Sequence, residues 1–200
     1  MERSSALANL ATTLLFCLAI CSCAISISSA QASTNTEFIR TSCSKTTYPR
    51  LCYTSLSSHA TLVQTSPKLL AGAALNVTLD KARSTSTMMV RLSRAQGMKS
   101  REVGAMRDCV EELSSSVDEL RRSIGEMGEI KGSSNFGLIM NDVQTWVSAA
   151  LTDENTCSDG FSGSMMNGNM KTVVRNEILT IAHLTSNALA LINRYASLHG

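Results

Sequence analysis

Between Lys99 and Met127 apolar residues recur at steps of three and four. Val103, Met106, Val110, Leu113, Val117, Leu120, Ile124 and Met127 trace one stripe along about seven turns of helix. The opposite face carries Arg107, Asp108, Glu111, Glu112, Asp118, Glu119, Arg121 and Arg122, the pattern of a solvated face. Gly125, Gly128 and Gly132 close this helix. Upstream, Ser66-Pro67 is a start signal, with Ser as N-cap and Pro at the first helical position. From there to Gln96 only Gly72 interrupts, and Leu69, Ala73, Val77, Ala82, Met88, Met89 and Leu92 form a looser stripe that Gly97 ends. Ser133-Ser134-Asn135 offers the next cap. Phe136, Ile139, Met140, Val143, Trp146, Val147 and Ala150 then supply a helical face, predicting a helix over 135–153. A loop rich in Gly, Ser and Asn spans 158–169. A last helix over 170–196 carries Val174, Ile178, Ile181, Ala188, Ile192 and Tyr195 on one side.

Four amphipathic helices with short connections predict an all-α fold, an up-down-up-down four-helix bundle over residues 66–197. No strand pattern competes. Residues 36–60 hold two short helical segments around Tyr48-Pro49. They read as a helical hairpin within 33–62, whose Phe38, Ile39, Leu51 and Leu56 need a partner surface. Together they make one domain, 33–200.

Residues 1–32 read as a secretory signal peptide: Arg3 in the basic n-region, an apolar core from Leu10 to Ile20, and Ala30-Gln-Ala32 as the cleavage pattern. The apolar run is short for a bilayer span and contains Thr12 and Thr13. This predicts a secreted, extracellular protein without a membrane anchor. Cys17, Cys21 and Cys23 leave with the leader, and Cys43, Cys52, Cys109 and Cys157 remain. Four cysteines in an oxidising compartment imply two disulfides. If helices 101–127 and 135–153 turn back on each other near residue 133, Cys109 and Cys157 stand at one level of the hairpin. Cys157 then lies just past its helix end, and Cys43 is left for Cys52. Asn76-Val-Thr78 is the sole N-x-S/T sequon and a candidate glycan site.

Charge and chemistry narrow the function by exclusion. The formal net charge is +2, which gives no basic stripe for nucleic acid. Of the three histidines, His59 lies in a Ser-rich connector, His183 in a helix and His199 at the penultimate position. No pair has metal-ligand spacing, and no nucleophile elbow, phosphate loop or dinucleotide fingerprint is present. Glu111-Glu112 and Asp153-Glu154 are adjacent carboxylates, which diverge on a helix and read as solvated surface. No catalytic residue, metal site or cofactor is expected. A doubly stapled bundle without catalytic groups is suited to binding, and we expect it to be monomeric when free.

Three runs carry a family resemblance. The first is Ile39-x-x-x-Cys43 followed by Tyr48-Pro49-x-Leu51-Cys52. The second is Met106-Arg-Asp-Cys-Val-Glu-Glu-Leu113, with Asp118 beyond it. The third is Val143-Gln-Thr-Trp-Val-Ser-Ala-Ala-Leu-Thr-Asp-Glu-Asn-Thr-Cys157, followed by Asp159-Gly-Phe161. In this order they resemble the plant invertase and pectin methylesterase inhibitor family, over about Thr36 to Ser197. The resemblance implies a stoichiometric inhibitor of a cell-wall carbohydrate enzyme, with the first cysteine paired to the second and the third to the fourth. The Pro-Lys-Phe motif of invertase inhibitors is absent from 158–170. The Thr145-Trp run is more similar to pectin methylesterase inhibitors, so pectin methylesterase is the expected target and acid invertase the alternative. Carried onto this chain, the resemblance implies partner contacts from Glu111, Asp118, Thr145, Ser148, Thr156 and Asp159. The spacing of Trp146 places it in the core, with a partly exposed interface anchor as the alternative.

Overall fold

A computed structural model describes residues 31–130, 134–163 and 169–199, and every regular element among them is helical. The predicted leader lies outside these residues except for Gln31 and Ala32, which lie in helix α1 (described over 31–43). There follow α2 (Pro49–Leu56), a single 3-10 turn (Ser57–His59), α3 (Ala60–Val63), α4 (Pro67–Leu92), α5 (Ser100–Gly128), α6 (Phe136–Gly160) and α7 (Asn169–Ser197). The last four form the bundle. Helix α4 packs on α5 and α7, and α6 packs on α5 and α7, so chain neighbours are spatial neighbours around the ring.

Local signals explain the helix starts. Ser66 Oγ accepts from the Leu69 N–H at 3.3 Å, and Pro67 opens α4. Glu102 Oε2 accepts from the Lys99 N–H at 2.8 Å, satisfying a donor ahead of the first turn of α5. Helix α4 ends earlier than its sequence suggests, at Leu92. Gly97 sits beyond it at φ +86°, a left-handed conformation that suits glycine.

In the α5 stripe Met106, Leu113, Val117, Leu120 and Met127 are buried and Val110 and Ile124 half-buried, while Val103 in the first turn is 49% exposed. In α4 the stripe is displaced. Ala73, Ala82 and Met89 are buried as expected, but Leu69 is exposed, and Leu70, Ala71, Ala74, Leu75, Thr78 and Thr85 join the buried face. Two threonines within that face obscured it. Thr78 is tolerable there because its hydroxyl donates to the Ala74 carbonyl of its own helix at 2.8 Å.

The hairpin α1–α2 is closed by the Cys43–Cys52 disulfide, with Cα atoms 5.5 Å apart. Its Ile39 and Leu56 are buried, and α2 packs on α4 and α7. At the turn, the Tyr48 N–H donates to Asn187 Oδ1 and Asn187 Nδ2 donates to the Tyr48 carbonyl, each at 3.0 Å. A side chain of α7 thus pairs with the hairpin main chain as a neighbouring strand would. The Tyr48 ring stacks on His183, with centroids 3.7 Å apart, and burial lowers the His183 pKa. At the far end of the bundle Phe136, Tyr195 and His199 cluster, tying the start of α6 to the end of α7.

Candidate functional site

Helices α5 and α6 form the closest pair of the bundle, and three contacts fix their register. Cys109 is bonded to Cys157, with Cα atoms 4.4 Å apart. Ser116 bonds to Glu154, and the Arg122 guanidinium lies 4.8 Å from the Trp146 ring centre. The residue number rises along α5 as it falls along α6, so the helices are antiparallel. Small residues permit the approach at the disulfide end, where a Cβ on Gly160 would lie 3.8 Å from that of Ala105. Cys157 was expected just beyond the helix. It lies within α6, which continues to Gly160, because Asp153 to Ser158 contains no breaker and Cys157 faces α5 in helical phase.

On the outer side of this pair the seam opens into a shallow groove of about 420 Å³. Asp108, Glu111 and Glu112 of α5 and Thr156 and Gly160 of α6 line it, with the disulfide at its base. Further along the seam Glu112 and Glu119 of α5 meet Asp153 of α6. Burial raises the pKa of all three, and the Asp153 charge raises those of Glu112 and Glu119 further. Glu119 is pushed up to about 7, although Arg122 pulls the other way. Glu119 Oε2 and Asp153 Oδ2 are both buried without an N–H or O–H donor from another residue. A proton held between the two carboxyls gives each a partner, which is what like charges at hydrogen-bonding range require.

Beneath the seam lies Glu154, fully buried between α5, α6 and α7. Its Oε1 accepts from Ser116 Oγ at 2.8 Å and from Thr185 Oγ1 at 2.9 Å, while Oε2 has no partner among the described residues. Burial pushes its pKa up to about 8, against the opposing pull of the Thr185 and Ser116 hydroxyls. At mildly acidic pH Glu154 is therefore a neutral acid, which a buried site accommodates far better than a carboxylate.

Glu111, Asp118, Thr145, Ser148, Thr156 and Asp159 are all exposed. Glu111 and Thr156 meet in the groove beside the disulfide. Asp118 is ion-paired with Arg121 on the outer face of α5. Thr145, Ser148 and Thr156, with Thr152 between them, follow one row of α6 at helical spacing. The hydroxyls of Thr145, Thr152 and Thr156 donate to carbonyls one turn back. Asp159 lies near the end of α6, where its carbonyl accepts from Ser162. Trp146 is half-buried on the seam rather than in the core, its ring capped by Arg122.

Sequence reasoning missed the carboxyl cluster. It placed Glu112 and Glu119 on a solvated face and read Asp153-Glu154 as surface, having compared only residues on one helix. The partners lie across the seam. Folding the sequence about residue 133 sets Glu112 opposite residue 154, so the signal was present.

The model of the family described as plant invertase/pectin methylesterase inhibitor matches residues 37–191. The chain belongs to this family. Its description names inhibitors rather than enzymes. The chain is 50% identical over 163 residues to pectinesterase inhibitor 11 of Arabidopsis thaliana, covering 80% of this chain and 81% of that one. It is 45% identical over 176 residues to a 21 kDa protein of Daucus carota, covering 86% and 91%. The fold matches the crystal structure of a mutant form of a pectin methylesterase inhibitor from Arabidopsis with a TM-score of 0.62. That match has 25% identity and covers 76% of this chain and 92% of that one.

Proposed function

We propose that the protein is a secreted inhibitor of pectin methylesterase, acting in the cell wall as a one-to-one complex that covers the esterase's pectin-binding cleft. The observation that carries this reading is 43–50% identity to three Arabidopsis proteins named pectinesterase inhibitors, over at least 80% of this chain. The outer α5–α6 face supplies the contact surface, through Glu111, Asp118, Thr145, Ser148, Thr156 and Asp159. It is rigid, because a disulfide and a cation–π pair fix its two helices, so little ordering entropy opposes binding. None of the described helices is long and apolar enough to cross a membrane, and the leader at 1–32 directs export.

Titrating the purified protein against a plant pectin methylesterase and an acid invertase tests the reading. The esterase should lose activity with an end point at one inhibitor per enzyme. Inhibition of invertase alone overturns the proposal.

A further inference from the structure

A second surface lies away from the α5–α6 face. Helix α3, the first turns of α4 and the last turns of α5 enclose an apolar groove of about 330 Å³, lined among others by Leu62, Leu69, Gly72, Asn76, Ile124 and Met127. Leu62 is 62% exposed and Leu69 42%, so two leucines face water here. Leu69, Gly72 and Asn76 follow one ridge of α4 at steps of three and four. Gly72 stands inside a long helix, where glycine is destabilising relative to alanine. A Cβ on it would meet nothing within 4 Å. Packing among the described residues therefore does not require glycine at that position, and among them the space above it is open.

Asn76 is the acceptor of the Asn76-Val77-Thr78 sequon. Its side chain lies back along the helix, with Nδ2 donating to the Gly72 carbonyl at 2.8 Å. Nδ2, the atom that carries an N-linked sugar, is thus aimed over Gly72 and toward Leu69. We infer that Asn76 carries an N-linked glycan whose first N-acetylglucosamine seats in this groove, its apolar ring face and acetamide methyl covering Leu62 and Leu69 above Gly72. The inference rests on the proposed secretion. In the transfer, the Asn76 Nδ2–C1 bond forms as the bond from C1 to a lipid-linked pyrophosphate breaks. Nδ2 loses one proton, and the lipid pyrophosphate leaves. Thr78 is buried and its hydroxyl is bonded to Ala74, so the sequon is inaccessible once α4 has packed. The sugar is added to the nascent chain before then.

The test is secretion of the full chain from yeast, with an Asn76→Gln variant alongside. Trypsin cuts after Lys68 and Lys81, so the peptide Leu69–Lys81 reports the site. It should carry hexosamine in protein recovered from the medium. Trimming with endoglycosidase H to one N-acetylglucosamine should leave Tm unchanged. Asn76→Gln should lower it by about 3 °C, the loss of roughly 1 kcal/mol in a domain of this size. Gly72→Leu, which fills the space, should erase the difference between the glycosylated and Asn76→Gln backgrounds. An unmodified peptide from secreted, esterase-inhibiting protein overturns the inference while leaving the proposed function intact. A glycan that leaves Tm unaffected overturns the seat in the groove, as does a dimer of the glycosylated protein that shields Leu69. Retention inside the cell with the leader uncleaved defeats both readings.

Discussion

Replacing Glu154 by Gln isolates the cost of one buried acid. Glu154 is fully buried, and its pKa rises from an ordinary 4.5 to about 8 in the folded protein. The folded state therefore holds a proton that the unfolded chain has released, and stability falls as pH rises through that window. Below about pH 4.5 the group is neutral in both states and imposes no penalty; above about pH 8 the penalty is complete. Each pH unit inside the window costs about 1.4 kcal/mol. Between pH 5 and 7 the loss is about 2.5 kcal/mol, or about 5–10 °C in Tm for a domain of this length. Gln cannot ionise, and its carbonyl still accepts from Ser116 and Thr185. Thermal melts of both proteins at pH 5, 6, 7 and 8 should show Tm falling less steeply in Glu154→Gln. The gap should move in its favour by about 2.5 kcal/mol from pH 5 to 7. Glu112, Glu119 and Asp153 are common to both proteins, so their share of the slope cancels in the difference. Parallel curves would refute the assignment of Glu154 as a buried neutral acid.

Asn187→Leu removes both hydrogen bonds to Tyr48 and leaves its half-buried amide unpaired. We expect a loss of about 2–3 kcal/mol in urea unfolding, with faster hydrogen exchange in α1 and α2 than in α5. Ser148→Arg places a bulky cation on the exposed face of α6, where surface substitutions change stability by about 0.5 kcal/mol or less. It should weaken esterase inhibition at least about tenfold at unchanged Tm; full potency would remove Ser148 from the interface. Arg122→Ala uncovers the Trp146 ring, so the tryptophan emission maximum should move to longer wavelength, and an unmoved maximum would contradict the stacking.

The bundle was legible because its signals are repetitive. Met106, Leu113, Leu120 and Met127 recur on one face of α5, and Ser66-Pro67 starts α4 where its chemistry dictates. Helical period also set Cys109 level with Cys157, since hairpin register is a matter of counting. The burial of Thr78 in α4 was not legible, because hydropathy cannot see a hydroxyl satisfied within its own helix. Glu154 was missed for a related reason. A carboxyl that lives as a neutral acid behaves unlike the charge its letter suggests, and only the three-helix environment determines that. Trp146 went astray because a helical face has edges, and at the edge an aromatic ring takes a cation from the next helix instead of joining the core.

The grip of Asn187 on Tyr48 has an evolutionary consequence. Asn187 reads an amide and a carbonyl, which almost every residue type provides. The exposed neighbours Thr47, Pro49 and Arg50 take no part in that pair of bonds. Substitutions on the outer rim of the hairpin can therefore accumulate without unseating it, leaving that rim a region where new surface chemistry can be tried at little risk to the fold.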